Sequence, residues 1–580
     1  MKAKNLIIGH LIFVIAFLLF SFKLRGQNFI TEWTFGKTTN QIHFNAETTD
    51  TVTYTWSALP SGNTGSGIFI QTTADTVRLR NLDVLKGDTL KLSMNPSKLR
   101  RFYIDNGPDK TNLINVIQWG SVPWTSMNSA FKGCAHLKID AKDNPDLSNV
   151  VDLSYMFSNA SSFNQDIGNW NTENIVIMAW MLNGASSFNQ DIGSWNTSNV
   201  VDMSYLFQHA SSFNQNIGDW NTSKVTDMRY MFSNTISFNQ DIGRWNTGNV
   251  IYMHAMFLNA HLFNKNIGNW NTSNVDRMSG MFSNAKAFNQ DIGNWNTSNV
   301  ITMHSMFADA INFNQDIGRW NTTNVIDMTN LFLRASSFNQ DIGNWNTENV
   351  NKMINMFNSA SSFNQDIGGW NIVQVSTMAS MFRHTKSFNQ DISNWNTSNV
   401  KDMYAMFSGA SAFNQNIGNW ILHPKASLLY LFDSTNLDCI NYSATLIGWR
   451  TNNPNVNQMN LGVNGLLYGK NAEDARNALI NSQGWYIKGD APSGNDCEIV
   501  GTHNEESLSD IFLYPNPTSG ILNIEDNNGS IYSISDLTGK FIVKGIITMN
   551  TISLEMLPLG IYYLSIINSD SPQTIKVFKY

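Results

Sequence analysis

The chain has 580 residues and a mass of 65.2 kDa, several times one ordinary domain, so more than one folding unit is predicted. Its 37 basic and 44 acidic residues leave a net charge of -7, which removes the electrostatic case for nucleic acid. Three cysteines exclude a disulfide-dense scaffold and a zinc ribbon, while 18 Trp, 25 Met and 35 Phe point to a sequence built by repetition.

Residues 1–26 place Lys2 and Lys4 ahead of an apolar run over 6–22. That run is a little short of the roughly 20 residues a spanning helix needs, so the reading is a cleaved export signal, with a membrane anchor as the alternative. No later segment is long and apolar enough to span a bilayer, so no transmembrane segment is expected after cleavage. Residues 27–110 contain strand-like stretches at 42–44, 52–56, 68–70, 77–79 and 90–92 between Gly- and Ser-rich turns. They predict a small immunoglobulin-like β-sandwich. Residues 111–145 read as a degenerate cap coil, with Ala130, Phe131 and Cys134 where later copies carry Met, Phe and Ala.

Within 146–432 the motif Phe-Asn-Gln-Asp-Ile-Gly-x-Trp starts at Phe163 and recurs every 25 residues to Phe413, eleven copies in all. Such spacing marks a solenoid, in which each unit buries its apolar face only by stacking on its neighbours. Eleven of the 18 Trp fall in one column, Trp170 to Trp420, and 19 of the 25 Met in two columns three residues apart. Met228, Met231, Phe232 and Thr235 fall at i, i+3, i+4 and i+7, one face of a short helix. Phe238-Asn-Gln-Asp-Ile242 alternates like a short strand, and Gly243 allows a turn. The fold class predicted is multidomain and β-rich α/β, with a strand and a short helix per coil. Asn164 and its equivalents suggest an amide ladder. The array resembles the BspA-like leucine-rich-repeat surface proteins of bacteria; residues 199–220 fit their pattern with Leu206 and Asn216 as departures. The resemblance implies a leucine-rich-repeat-type solenoid and a role in surface binding or adhesion.

No phosphate loop, Gly-x-Ser-x-Gly elbow or His-Glu-x-x-His motif is present, and His254 and His304 stand two coils apart, so no catalytic residues are assigned. Asp291, Asp316, Asp341, Asp366 and Asp391 stack in succession, which admits calcium between coils. Asn216, Asn266 and Asn416 occupy the same column, however, and an acceptor for backbone N–H groups fits both residue types. No cofactor or metal is therefore assigned. Variable columns are where recognition is expected. Tyr155, Trp180, Tyr205 and Tyr230 occupy one such column in four successive coils, before it turns small or polar at Ala255, Gly280, Ser305 and Asn330. An exposed aromatic stripe there suits a protein or glycan ligand; packing against neighbouring structure is the alternative.

Residues 433–500 break the repeat and read as a C-terminal cap, helical over 439–449 and 471–481 and strand-like over 459–463 and 485–488. Cys439 and Cys497 are candidates for a disulfide, which sequence alone cannot pair. After a linker at 501–510, residues 511–580 alternate in short strands separated by turns, a small β-sandwich. This segment resembles the C-terminal sorting domain of the type IX secretion system of Bacteroidetes. The likeness lies in Tyr514-Pro515-Asn516-Pro517-Thr-Ser-Gly520, Asp536-Leu-Thr-Gly539-Lys540, Leu557-Pro-Leu-Gly560-Ile-Tyr562 and Lys576-Val-Phe-Lys579. It implies handling by the type IX machinery, with release or surface attachment after tail cleavage. The function expected is a non-enzymatic, exported binding or adhesion scaffold for an extracellular protein or glycan; the alternative is a carbohydrate-binding module using the aromatic stripe.

Overall fold

The computed structural model describes residues 26–73, 75–497, 513–514, 518, 520–524, 530–536, 540–567 and 572–579. Residues 1–25 of the predicted export signal, the linker at 501–510, and Pro515, Asn516, Pro517 and Gly539 lie outside the described residues. The chain divides into two compact units between residues 498 and 499. It is β-rich, with two helices among the described residues.

The first unit begins with β1 (Phe29–Thr34), β2 (Thr39–Thr48), β3 (Val52–Leu59), β4 (Thr64–Phe69), β5 (Asp75–Val84), β6 (Thr89–Met94), β7 (Leu99–Tyr103), β8 (Leu113–Gln118) and β9 (Lys138–Ile139). They form two sheets, ordered β4-β3-β6-β1-β8-β9 and β5-β2-β7. Every second residue of β1 and β3 is buried, and inward rings from the two sheets meet: Trp33 lies 6.4 Å from Phe44, and Phe29 lies 5.2 Å from Phe102. β8 lies beyond residue 110 and pairs antiparallel with β1, while β9 pairs parallel with β8. The sheet thus runs directly into the first coil.

The coils stack at a 25-residue interval, joined by single parallel bridges from Asp152–Ile177 through Asp402–Ser427. Neither the predicted helix nor the predicted strand forms in them. The reason lies in where the backbone N–H groups go. Leu153, Tyr155, Phe157 and Asn159 donate to Ile177, Ala179, Met181 and Asn183 of the next coil at 2.7–3.0 Å. Between them, Met156, Ser158 and Ala160 donate three residues back, to Leu153, Tyr155 and Phe157. Consecutive turns therefore replace the helix, and alternate residues bond across coils as in a sheet. The i, i+3, i+4, i+7 positions still point inward: Met228, Met231, Phe232 and Thr235 are all fully buried. The predicted turn at Gly243 does form, Trp245 N–H donating to Ile242 O at 3.2 Å, but without a positive φ. A Cβ there would collide with the Asn266 carbonyl oxygen of the next coil, so close backbone approach is its role.

Side chains complete the stack. Asn189 N–H and Gln190 Nε2 both donate to Asn164 Oδ1 (2.9 and 3.0 Å), and equivalent bonds recur to Asn414 and Gln415; Lys265 replaces Gln in one coil. Trp195 Nε1 donates to Ile167 O of the preceding coil (3.1 Å), a bond repeated down to Trp420 and Ile392. Neighbouring indoles run nearly parallel, as with Trp295 and Trp320 at 1° and 6.5 Å.

After the coils come α1 (Cys439–Asn452), β10 (Asn460–Gly462), β11 (Leu467–Tyr468), α2 (Lys470–Asn481), β12 (Tyr486–Lys488) and β13 (Ala491–Pro492). The Asp438 side chain caps α1 by accepting from Asn441 N–H. Trp449 on α1 takes the next place in the tryptophan column, its Nε1 donating to Ile417 O at 3.0 Å. The helix thereby closes the core, which is continuous from Phe29 to Ile487. A disulfide joins Cys439 to Cys497, with the Cα atoms 5.5 Å apart.

The second unit contains β14 (Leu513–Tyr514), β15 (Ile521–Ile524), β16 (Ile531–Ser535), β17 (Phe541–Ile546), β18 (Thr551–Ser553), β19 (Gly560–Ile567) and β20 (Pro572–Lys579). Two sheets, β14-β15-β18 and β17-β16-β19-β20, enclose a separate core that includes Leu522, Ile534, Ile552 and Leu564.

Candidate functional site

Bonding alternate N–H groups to the next coil leaves two residues per coil that must reverse the chain locally. Both columns take positive φ: Tyr155, Trp180, Tyr205 and Tyr230 at 55–62° in one, Asn159, His209 and Asn234 at 59–60° in the other. The first column keeps this conformation at Ala255, Ser305, Asn330, Asn355 and Tyr430, so coil geometry imposes it whatever the side chain. Asn and Gly adopt it readily; a Tyr or Trp does so at a cost of about 1–3 kcal/mol.

Those four aromatic residues form a ladder. Ring centroids are 5.5 Å apart from Tyr155 to Trp180, 3.9 Å from Trp180 to Tyr205 and 4.8 Å from Tyr205 to Tyr230, with planes within 13°. Lys132 Nζ sits 4.9 Å over the Tyr155 ring, and His254 meets Tyr230 edge-on at 5.5 Å. The ladder is half-buried rather than fully exposed, because each ring covers its neighbour's face. What it offers to solvent is a row of ring edges. Burial, followed by the neighbouring Tyr230, pushes the Tyr205 phenol upward, so it stays a neutral donor. Lys132 and His254 were not legible as partners from sequence; the only signal was their position roughly one coil away from each end of the ladder.

Carboxylates flank the ladder in the bridging column. Asp152 accepts from Ser154 N–H, Asp202 from Ser204 N–H (2.8 Å each) and Asp227 from Arg229 N–H (3.0 Å), with an Arg229–Asp227 ion pair at 2.9 Å. Burial raises Asp227 against the opposing pull of Arg229.

The other repeated polar columns are spent on structure. Asp166 Oδ1 accepts from Gly168 N–H at 2.9 Å, and Asn216 and Asn266 do the same for Gly218 and Gly268 at 3.0 and 2.9 Å. Asp and Asn thus serve one purpose in that column, an acceptor inside a turn, which accounts for their interchange without a cation. Asn171 makes the same kind of turn with Glu173 N–H, while Thr172 Oγ1 reaches Asn196 O in the next coil. Cys134 is free and buried, and desolvation holds its thiol far above the usual range.

In the tail, Gly520 N–H donates to Thr518 Oγ1 and Gly520 O accepts from Leu554 N–H. Lys579 Nζ donates to the carbonyls of Leu554 (2.7 Å), Glu555 (2.9 Å) and Leu557, while Tyr562 Oη donates to Pro558 O (2.8 Å). Lys579 and the Leu557–Gly560 turn, separate motifs in sequence, are one structural clamp.

The family model described as "Mycoplasma protein of unknown function, DUF285" matches residues 125–241, 209–320, 262–366 and 338–449, which together cover more than half of the chain. A second model, "Secretion system C-terminal sorting domain", matches residues 512–579. No curated protein matches the chain. The sorting domain marks the chain for type IX handling and for secretion to the cell surface or the extracellular space. No helix among the described residues is long and apolar enough to cross a membrane.

Proposed function

The chain belongs to the DUF285 family and carries a type IX sorting tail, and from these two facts we propose that it is an exported, non-enzymatic binding scaffold. In this reading the coils are a leucine-rich-repeat-type array of the BspA-like kind, preceded by an immunoglobulin-like module, and the array acts in adhesion. The observation that carries the reading is the aromatic ladder. Four bulky rings occupy a backbone conformation that favours Asn or Gly, and the same column holds Asn330 and Asn355. The backbone has no use for aromatic residues there, so their side chains are the reason for them.

The ladder supports a protein ligand over a stacked sugar. Rings 3.9–5.5 Å apart cover one another's faces, leaving edges and phenol hydroxyls for a partner. Edges of this kind suit a protein surface carrying polar groups. The test is a pair of substitutions, Tyr205→Asn and Tyr230→Asn, made together in the full chain. Asn suits the positive φ, so the fold should hold, while binding to intact cells and immobilised matrix proteins should fall about tenfold or more. Undiminished binding by a folded double variant would refute the role of the ladder.

A further inference from the structure

The aromatic column has a twelfth member. Tyr430 takes the same left-handed conformation, φ 57°, where the last coil meets the cap. Its surroundings differ from those of the ladder. Tyr430 is 50% exposed and its ring touches another only edge-on, at Tyr404. Tyr486, at the start of β12, is 61% exposed. The two tyrosines line one open pocket of about 430 Å³ together with Asp433, Gly462, Asn464 and Lys488, a size in the range of small-molecule sites.

The pocket has a built polar wall. Asp433 Oδ1 accepts from Asn464 N–H at 3.1 Å, while Oδ2 has no donor among the described residues. Lys488 lies in the same wall and makes no ion pair with Asp433. Gly462 is needed here, because a Cβ would collide with the Tyr430 backbone and displace the ring from the wall. Two main-chain donors of the wall are already used: Gly462 N–H bonds Leu428 O, and Tyr486 N–H bonds Met459 O at 2.7 Å. Neither of these two N–H groups is open to an extended peptide. Recognition falls to side chains: two aromatic rings with open faces, one free carboxylate oxygen, an amide and an ammonium.

We infer that this pocket is a saccharide site, taking one ring of a neutral glycan. A pyranose presents a patch of C–H groups that lies against an aromatic face, and a rim of hydroxyls that both donate and accept. Tyr430 and Tyr486 supply the faces, Asp433 Oδ2 accepts from hydroxyls, and Lys488 and the Asn464 amide donate to them. The opposed charges of Asp433 and Lys488 leave the wall without a strong preference for an ionic ligand. This inference rests on reading the chain as a binding scaffold, but it does not involve the ladder at Tyr155–Tyr230.

The test uses the full chain on an array of neutral gluco-, manno-, galacto- and xylo-oligosaccharides, followed by titration calorimetry with the best-retained one. Binding is expected, weakened about tenfold or more by Tyr486→Ala and by Asp433→Asn, and unchanged by Tyr205→Asn. Asp433→Asn keeps the Oδ1 acceptor for Asn464 N–H, so it tests recognition without removing that structural bond. Retention of no neutral oligosaccharide, retention indifferent to both pocket variants, or capture of peptides alone would each overturn the assignment. Cell or matrix binding that survives while oligosaccharide binding is absent would overturn this site and leave the scaffold reading standing.

Discussion

Asn289 isolates what one rung of the amide ladder contributes. Its Oδ1 accepts from Asn314 N–H at 2.9 Å and from Gln315 Nε2 at 3.0 Å, while its own N–H donates to Asn264 Oδ1 at 2.9 Å. Asn289→Ala removes the acceptor and leaves a half-buried N–H and a side-chain amide without partners. Each lost bond costs about 1 kcal/mol, and water reaches these half-buried groups in part, so a loss of about 1–2 kcal/mol is expected. Asn289→Asp keeps the oxygen in place, and should stay within about 0.5 kcal/mol of the parent. Because a coil touches mainly its neighbours, the damage should be local. Peptide-resolved hydrogen exchange should show about tenfold faster exchange around residue 314 in the Ala variant, with the N-terminal sheets unchanged. Urea unfolding gives the energy independently. An Ala variant as stable as the parent, or an Asp variant as damaged as the Ala one, would refute the acceptor argument.

Three further outcomes follow from the same geometry. Trp295→Ala empties a place in the indole column, buried between Trp270 and Trp320, and should cost about 3–5 kcal/mol in urea unfolding; Trp295→Phe, which forfeits the bond to Ile267 O, should cost markedly less. Replacing Cys439 and Cys497 by Ser opens a link across 58 residues and should cost about 2–4 kcal/mol, with α1 and α2 losing exchange protection before the central coils do. His254 is held below the ordinary histidine value first by burial and then by Arg229 and Arg277, with Asp276 opposing. Its contribution to stability is therefore full above about pH 6.5 and is lost as pH falls toward the lowered folded value. The drop in melting temperature from pH 7.5 to 5.5 should be larger in the parent than in His254→Gln, and equal drops would contradict the assignment.

The tail is legible in sequence nearly strand for strand, because alternation at period two reports directly which face of a strand is buried. The two cap helices and the strands beside them were legible for similar local reasons. The coil interior was only half legible. Spacing at i, i+3, i+4 and i+7 places side chains inward both in a helix and in consecutive turns, so the pattern identified Met228, Met231 and Phe232 as core without deciding the backbone. That decision belongs to the neighbouring coil, whose carbonyls capture alternate N–H groups before an i-4 bond can form.

The sequence by itself determined the period, the columns and the identity of the packing residues, since a repeated side chain can only recur in register if the units stack. Tertiary structure alone decided that the ladder rings turn their faces to each other, that Cys439 meets Cys497, and that Tyr430 and Tyr486 share a pocket. Each of these depends on distances between segments remote along the chain, and on left-handed residues whose conformation is imposed by hydrogen bonds from the next coil rather than by their own side chains.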